Sequence, residues 1–178
     1  KKRYEDGNLS SKELFAVQIE SIEAIHTVVS NIWISEEVIE LADYYIESTI
    51  ESSKDGNNLY GLLKSLYLDN NYIFVQAHLT AYIISSFFRF ISWLNKDHEK
   101  RYIFASLFQN ACIDEDYLAM IQSTEVLEFE KLSSKQKDKV LKHPTRVIEL
   151  LKEHPLFNTD IKNALLNHHE RPSGEGFP

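Results

Sequence analysis

Apolar side chains recur at steps of three and four residues along most of the chain, the spacing that lines one face of a helix. Over 14-LFAVQIESIEAIHTVVSNIW-33 this spacing follows a capping-box pattern, Ser10 with Glu13, and predicts a long amphipathic first helix. Ser35 caps a second, 36-EEVIELADYYIESTIESS-53, which 55-DGNN-58 stops, Gly56 being suited to the left-handed conformation past a helix end. A short helix over 59–68 leads through 69-DNN-71 into 72-YIFVQAHLTAYIISSFFRFISWL-94, the most apolar helix of the chain. The next predicted helix, 97-DHEKRYIFASLFQNA-111, carries its charge at the start. Ser133 and Gln136 repeat the capping pattern ahead of 135-KQKDKVLKHPTRVIELLKEH-154, which Pro144 is expected to bend or restart. Asn158 or Thr159 opens a last helix that leads through Leu166 into His168 and His169. The fold class is therefore all-α. Only 54-KDGNN-58 reads as a seam, dividing an N-terminal helical segment, 1–56, from a helical core, 57–178.

Composition agrees with this pattern. With 178 residues, 43% of them hydrophobic and 26% charged, the chain has material for one well-buried core, and five glycines with four prolines leave few of the turns an all-β fold needs. A net charge of -8 repels phosphate backbones, so no nucleic-acid polymer is expected as a partner. Cys112 is the single cysteine, which excludes an internal disulfide framework, and the polar start of the chain is no secretory signal; a cytoplasmic location is expected. Gln76, His78 and Arg89 interrupt the apolar run over 72–94, which makes it a buried helix of a bundle rather than a membrane span. No membrane partner is expected.

Candidate chemistry centres on the seven histidines. His26 and His98 read as helix-surface residues, and His154 sits in a helix-ending turn before Pro155. His78 lies in the most apolar helix, where an imidazole needs a hydrogen-bond partner or a ligand to offset its desolvation. His143 precedes Pro144, a helix-disturbing residue. His168 and His169 are separated by about 100° on a helix. Near a helix end they could address two metals, or one metal and one substrate oxygen. Arg171 follows the pair where a guanidinium could grip a phosphate, with Lys142 as a second cation; pairing with Glu170 or Glu175 is the plainer role.

The string 168-HHERPSGEGFP-178 resembles the signature of the HD-GYP domain family, with Gly176, Phe177 and Pro178 where that family has Gly-Tyr-Pro. In the same register, 78-HLTAYIISSFFRFISWL-94 is similar to the family's first-ligand helix and 141-LKHPTRVIELL-151 to its histidine-proline element. The resemblance spans roughly 59–178. It implies an HD-domain helical bundle with an N-terminal helical extension, holding two or three metal ions, iron or manganese, and hydrolysing cyclic di-GMP. The implied metal ligands are His78, His143, His168 and His169. Arg171, Gly174, Gly176, Phe177 and Pro178 belong to the loop implied to meet a ligand or a protein partner.

The chain departs from the family where charge matters most. In 105-ASLFQNACIDED-116, Gln109 and Asn110 stand in place of the family's His-Asp pair and Ile113 in place of its lysine. A neutral amide is a poor transition-metal ligand and cannot bridge two ions as a carboxylate does, so the four histidines are expected to bind one ion, iron or manganese, weakly, or none. Phe74 occupies a position where some members carry a glutamate, and the family's last ligand, an aspartate in a later helix, is expected beyond Pro178. Asp114, Glu115 or Asp116 as a substitute carboxylate is less favoured than a solvated start of the next element. Cys112 reads as a small buried residue. Three readings follow: a degenerate HD-GYP-type domain that no longer hydrolyses and acts in nucleotide sensing or protein interaction; an active phosphodiesterase with an altered metal site; and a helical scaffold forming a homodimer through 14–53.

Overall fold

Side-chain caps set where the helices begin. The computed structural model describes residues 9–31, 35–54, 72–174 and 176–177. Helix α1 (Ser11–Asn31) opens on Ser10, whose N–H donates to Glu13 Oε2 at 2.9 Å while Glu13 N–H donates back to Ser10 Oγ at 3.4 Å. Two of the donors that a helix start leaves orphaned are thereby satisfied. Ser35 accepts from Val38 N ahead of α2 (Glu36–Ser53). For α3 (Tyr72–Phe88) the carboxylate comes from far along the chain: Asp116 accepts from Tyr72 N at 3.0 Å and from Ile73 N at 3.2 Å. Asn95 caps α4 (Lys96–Phe108), and His98 completes that capping box. Single turns form α5 (Asp116–Ala119) and α6 (Leu127–Glu130). The expected Ser133–Gln136 box starts α7 (Ser134–Leu151), and Asn158 caps α8 (Thr159–Leu166). Among the described residues there is no strand, and the all-α class holds.

The apolar faces of these helices meet in one main core. Helix α3 packs most extensively on α4 and also touches α1 and α2, while α8 lies on α7 and α4. Ile22, Ile25, Tyr45, Phe104, Leu107 and Leu151 are among its fully buried side chains. Each is worth about 1.5–3 kcal/mol relative to exposure, so this core rather than helix propensity carries the fold. A second, smaller cluster gathers Ile73, Ile113, Leu118, Ile121, Val140 and Phe177 under the end of the chain. It is this cluster that supports the histidines described below.

Several expectations need correction. Helix α3 ends at Phe88 rather than running to 94: Phe90 and Ile91 turn tightly onto the Phe87 and Phe88 carbonyls, and Arg89 reaches across to the Ser53 and Lys54 carbonyls at the end of α2. No helix of the described residues is long and apolar enough to cross a membrane. Helix α4 stops at Phe108, with Gln109 as its C-cap. Pro144 does not restart α7, which continues through it. His26 is not a surface residue; it is 4% exposed, donates from Nε2 to the Leu107 carbonyl at 2.7 Å and meets the Phe74 ring edge-on. His154 is buried too, stacked on Phe104, with its Nδ1 accepting from Leu156 N. Gly56 and the helix predicted over 59–68 lie outside the described residues.

Candidate metal centre

Two backbone carbonyls, each released from the usual helical ladder, orient two imidazoles. Proline has no N–H, so Pro144 leaves the Val140 carbonyl without its partner four residues on. His143 takes that carbonyl, Nδ1 to oxygen at 2.6 Å. At the other side α8 ends at Leu166, where the last carbonyls of a helix lack intrahelical donors. His168 Nδ1 takes one of them, the Leu165 carbonyl, at 2.7 Å. A carbonyl only accepts, so both rings carry their proton on Nδ1 and both Nε2 atoms present a lone pair.

Those lone pairs point at each other. His143 Nε2 lies 3.1 Å from His168 Nε2 and 3.3 Å from His169 Nε2. In the neutral rings no proton is left to place between His143 and His168, so their closest nitrogens repel unless a cation lies among them. A proton is the poorer choice, because burial drives His143 and His169 down to about 3 and also lowers His168 from the ordinary imidazole value. A metal ion fits better. Ligands ~2.1 Å from one ion, at angles between a right angle and the tetrahedral value, are separated by about 3.0–3.4 Å. Ligand atoms of all three histidines lie within 4.8 Å of one another. His169 Nδ1 is buried without a partner, which leaves that ring's orientation to Nε2 and to packing.

Phe177 supplies the packing. Phe177, 2% exposed, lies parallel to His169 with ring centroids 4.3 Å apart and meets His143 edge-on. It reaches that place through a turn that needs both glycines. Gly174 has φ +75°, in the left-handed region, and a Cβ on Gly176 would lie 2.4 Å from both the Glu170 Cα and the His169 carbonyl oxygen. Glu170 Oε1 ties the loop by accepting from Arg171 N at 2.8 Å and Gly176 N at 3.2 Å. Arg171 donates from Nη2 to the Gln122 carbonyl at 3.1 Å, and Lys142 forms an ion pair with Asp138. Both cations thus have partners at the protein surface. Pro178 lies outside the described residues.

Of the four histidines expected as ligands, three converge and His78 is held elsewhere. Its Nδ1 meets the Tyr45 hydroxyl at 2.9 Å, between the edges of Tyr45 and Phe15. Tyr45 sits in α2, 33 residues away, and nothing in the local pattern announces the pair. Asn110 donates from Nδ2 to Gln76 Oε1 at 2.9 Å and leaves its own buried Oδ1 without a partner. Ile113 is a core residue, 3% exposed. Phe74 packs against both clusters. Asp114 pairs with Lys139 and Asp116 caps α3, so these two carboxylates of the acidic triplet have other work. Cys112 is half-buried and its thiol is pushed up by burial, which keeps it protonated and inert. Gln109 and His168 share the wall of a cavity of about 120 Å³ with Thr80, Ser106 and Ala164.

Sequence reasoning named the three converging histidines but missed what aims them. The signal was present in 140-VLKHP-144: a proline one position after a histidine frees a carbonyl that the same histidine can reach. Comparison with protein-family models, curated proteins and solved structures returns no match for this chain.

Proposed function

We propose that this chain is a non-hydrolytic, HD-GYP-like helical domain that binds one divalent transition-metal ion through His143, His168 and His169 and serves cyclic di-GMP signalling as a sensing or interaction module. The observation that carries the reading is the convergence of three Nε2 atoms, two of them with lone pairs fixed by backbone carbonyls. Among the described residues no carboxylate joins that group. An ion held there supplies Lewis acidity. Hydrolysis of a phosphodiester in the two-ion manner needs a second ion a few ångströms away and an anionic bridge, and Asn110 offers only a neutral amide whose N–H is bound to Gln76. Size points the same way. The cavity beside His168 holds about 120 Å³, whereas pockets for drug-sized ligands run to roughly 300–1,000 Å³. A dinucleotide does not fit inside it, and nucleotide or protein contact is assigned instead to the loop residues that face solvent, Ser173 and Gly174, beside the inward-turned Phe177.

The test combines metal analysis with turnover. Protein purified without chelator is assayed for bound metal and for cleavage of cyclic di-GMP with added manganese or iron. One ion per chain, lost in His143→Ala, with no cleavage is the expected result. Two ions per chain together with steady turnover would replace this reading by that of an active phosphodiesterase.

A further inference from the structure

We infer that the three-histidine centre opens on the cavity beside His168 and takes a small anion there, the resident ion being of the cobalt, nickel or zinc kind rather than manganese. This rests on the single-ion reading above and adds the ligand class and the direction of approach.

Access is one-sided. His143 is fully buried, and the ring of His169 is covered by Phe177. His168 is the least buried of the three and, among the described residues, borders a cavity. Charge then selects what enters. Three neutral imidazoles leave the two positive charges of a divalent ion uncompensated, in a setting where low polarity strengthens their pull on an anion. All-nitrogen donors suit the late first-row ions, while manganese prefers the oxygen ligands this cluster lacks. Volume sets the size limit. About 120 Å³ is room for about four water-sized groups, enough for azide, formate or bicarbonate and too little for an aromatic acid. The wall is chiefly apolar, Thr80, Ser106 and Gln109 being its polar residues beside His168, and Ala105 and Ala164 leave the space open.

The full chain loaded with Co(II) tests this by visible absorption. Azide and formate are expected to shift the Co(II) bands in a saturable manner, and benzoate to leave them unmoved. Ala164→Leu, loaded with one Co(II), should bind azide about tenfold more weakly or worse. Bands indifferent to azide and formate, or benzoate acting as well as formate, would overturn the cavity as the anion site. Failure to bind Co(II) at all would instead remove the metal centre, and both proposals with it.

Discussion

Gly176→Ala tests whether the chain end is locked onto the histidines as the structure implies. An added Cβ would sit 2.4 Å from two backbone atoms, the Glu170 Cα and the His169 carbonyl oxygen, neither of which belongs to a flexible side chain. The loop must therefore lift. Lifting removes the Gly176 N–H to Glu170 Oε1 bond of 3.2 Å and withdraws Phe177 from its cluster and from the face of His169. Losing a buried phenylalanine costs about 3–5 kcal/mol, and that sets the scale for the variant. Gly174→Ala is the control: its Cβ would meet nothing within 4 Å, so only the left-handed backbone is penalised, at about 1–2 kcal/mol. Urea unfolding followed by far-ultraviolet dichroism measures both. The sharper reading comes from the cycle with Phe177→Ala. If the glycine acts by seating that ring, the double variant falls no further than Phe177→Ala alone by more than about 0.5 kcal/mol. Additive losses, or a Gly176→Ala chain as stable as the wild type, would refute the argument.

Three further outcomes are expected. Metal-free protein should lose stability as pH falls from 7.5 to 5: His26 at about 4 and His78 at about 3 are neutral when folded and take up protons first when unfolded, at about 6.5. Their contribution is whole above 6.5, fades as pH falls toward those folded values, and is down by about 2 kcal/mol for each histidine at pH 5; a urea midpoint flat across this range contradicts it. Tyr45→Phe removes the hydroxyl bound to His78 and should cost about 1–3 kcal/mol by the same unfolding assay, with an unchanged denaturant slope. Asn110→Asp buries a carboxylate beside Gln76 Oε1 and should destabilise the metal-free chain by about 3 kcal/mol at neutral pH, a loss that shrinks on acidification because protonation removes the buried charge.

How much of this was legible depended on how local the cause is. Helix starts at Ser10, Ser35, Ser133 and Asn158 were readable because a cap is a matter of three residues. The start of α3 at Tyr72 was read from the end of 69-DNN-71, but its cap, Asp116, was not legible. Nor was its end at Phe88, because apolar residues continue past it and the turn depends on Arg89 reaching the end of α2. His26 was misplaced although its position gave it away: it lies four residues after Ile22 and three before Val29, on the stripe that α1 buries. For His78 the sequence stated the need of a partner but not its identity, because α3 is apolar nearly all round and offers no single face to follow. His143, His168 and His169 were legible as a motif. That two of them are tautomer-locked follows only once α7 is known to run through Pro144 and α8 to stop at Leu166.

Two residues at which the sequence departs from the HD-GYP pattern it resembles contribute packing and hydrogen bonding to the fold. Ile113, at the position matched to that family's lysine, belongs to the apolar cluster that seats Phe177. An ammonium group in that cluster would need a charge partner, and Asp114 next to it is committed to Lys139. Asn110, matched to the aspartate, ties the end of α4 to Gln76 of α3 through a neutral amide bond that a carboxylate could not donate. At both positions an uncharged side chain contributes to the fold, Ile113 by packing and Asn110 by a hydrogen bond. An ion held by the three histidines as proposed would sit in a fixed frame with little to change its charge on demand. That suits an occupied-or-empty signal better than a cycle of bond cleavage, in which anion and cation must be rebalanced at every turn.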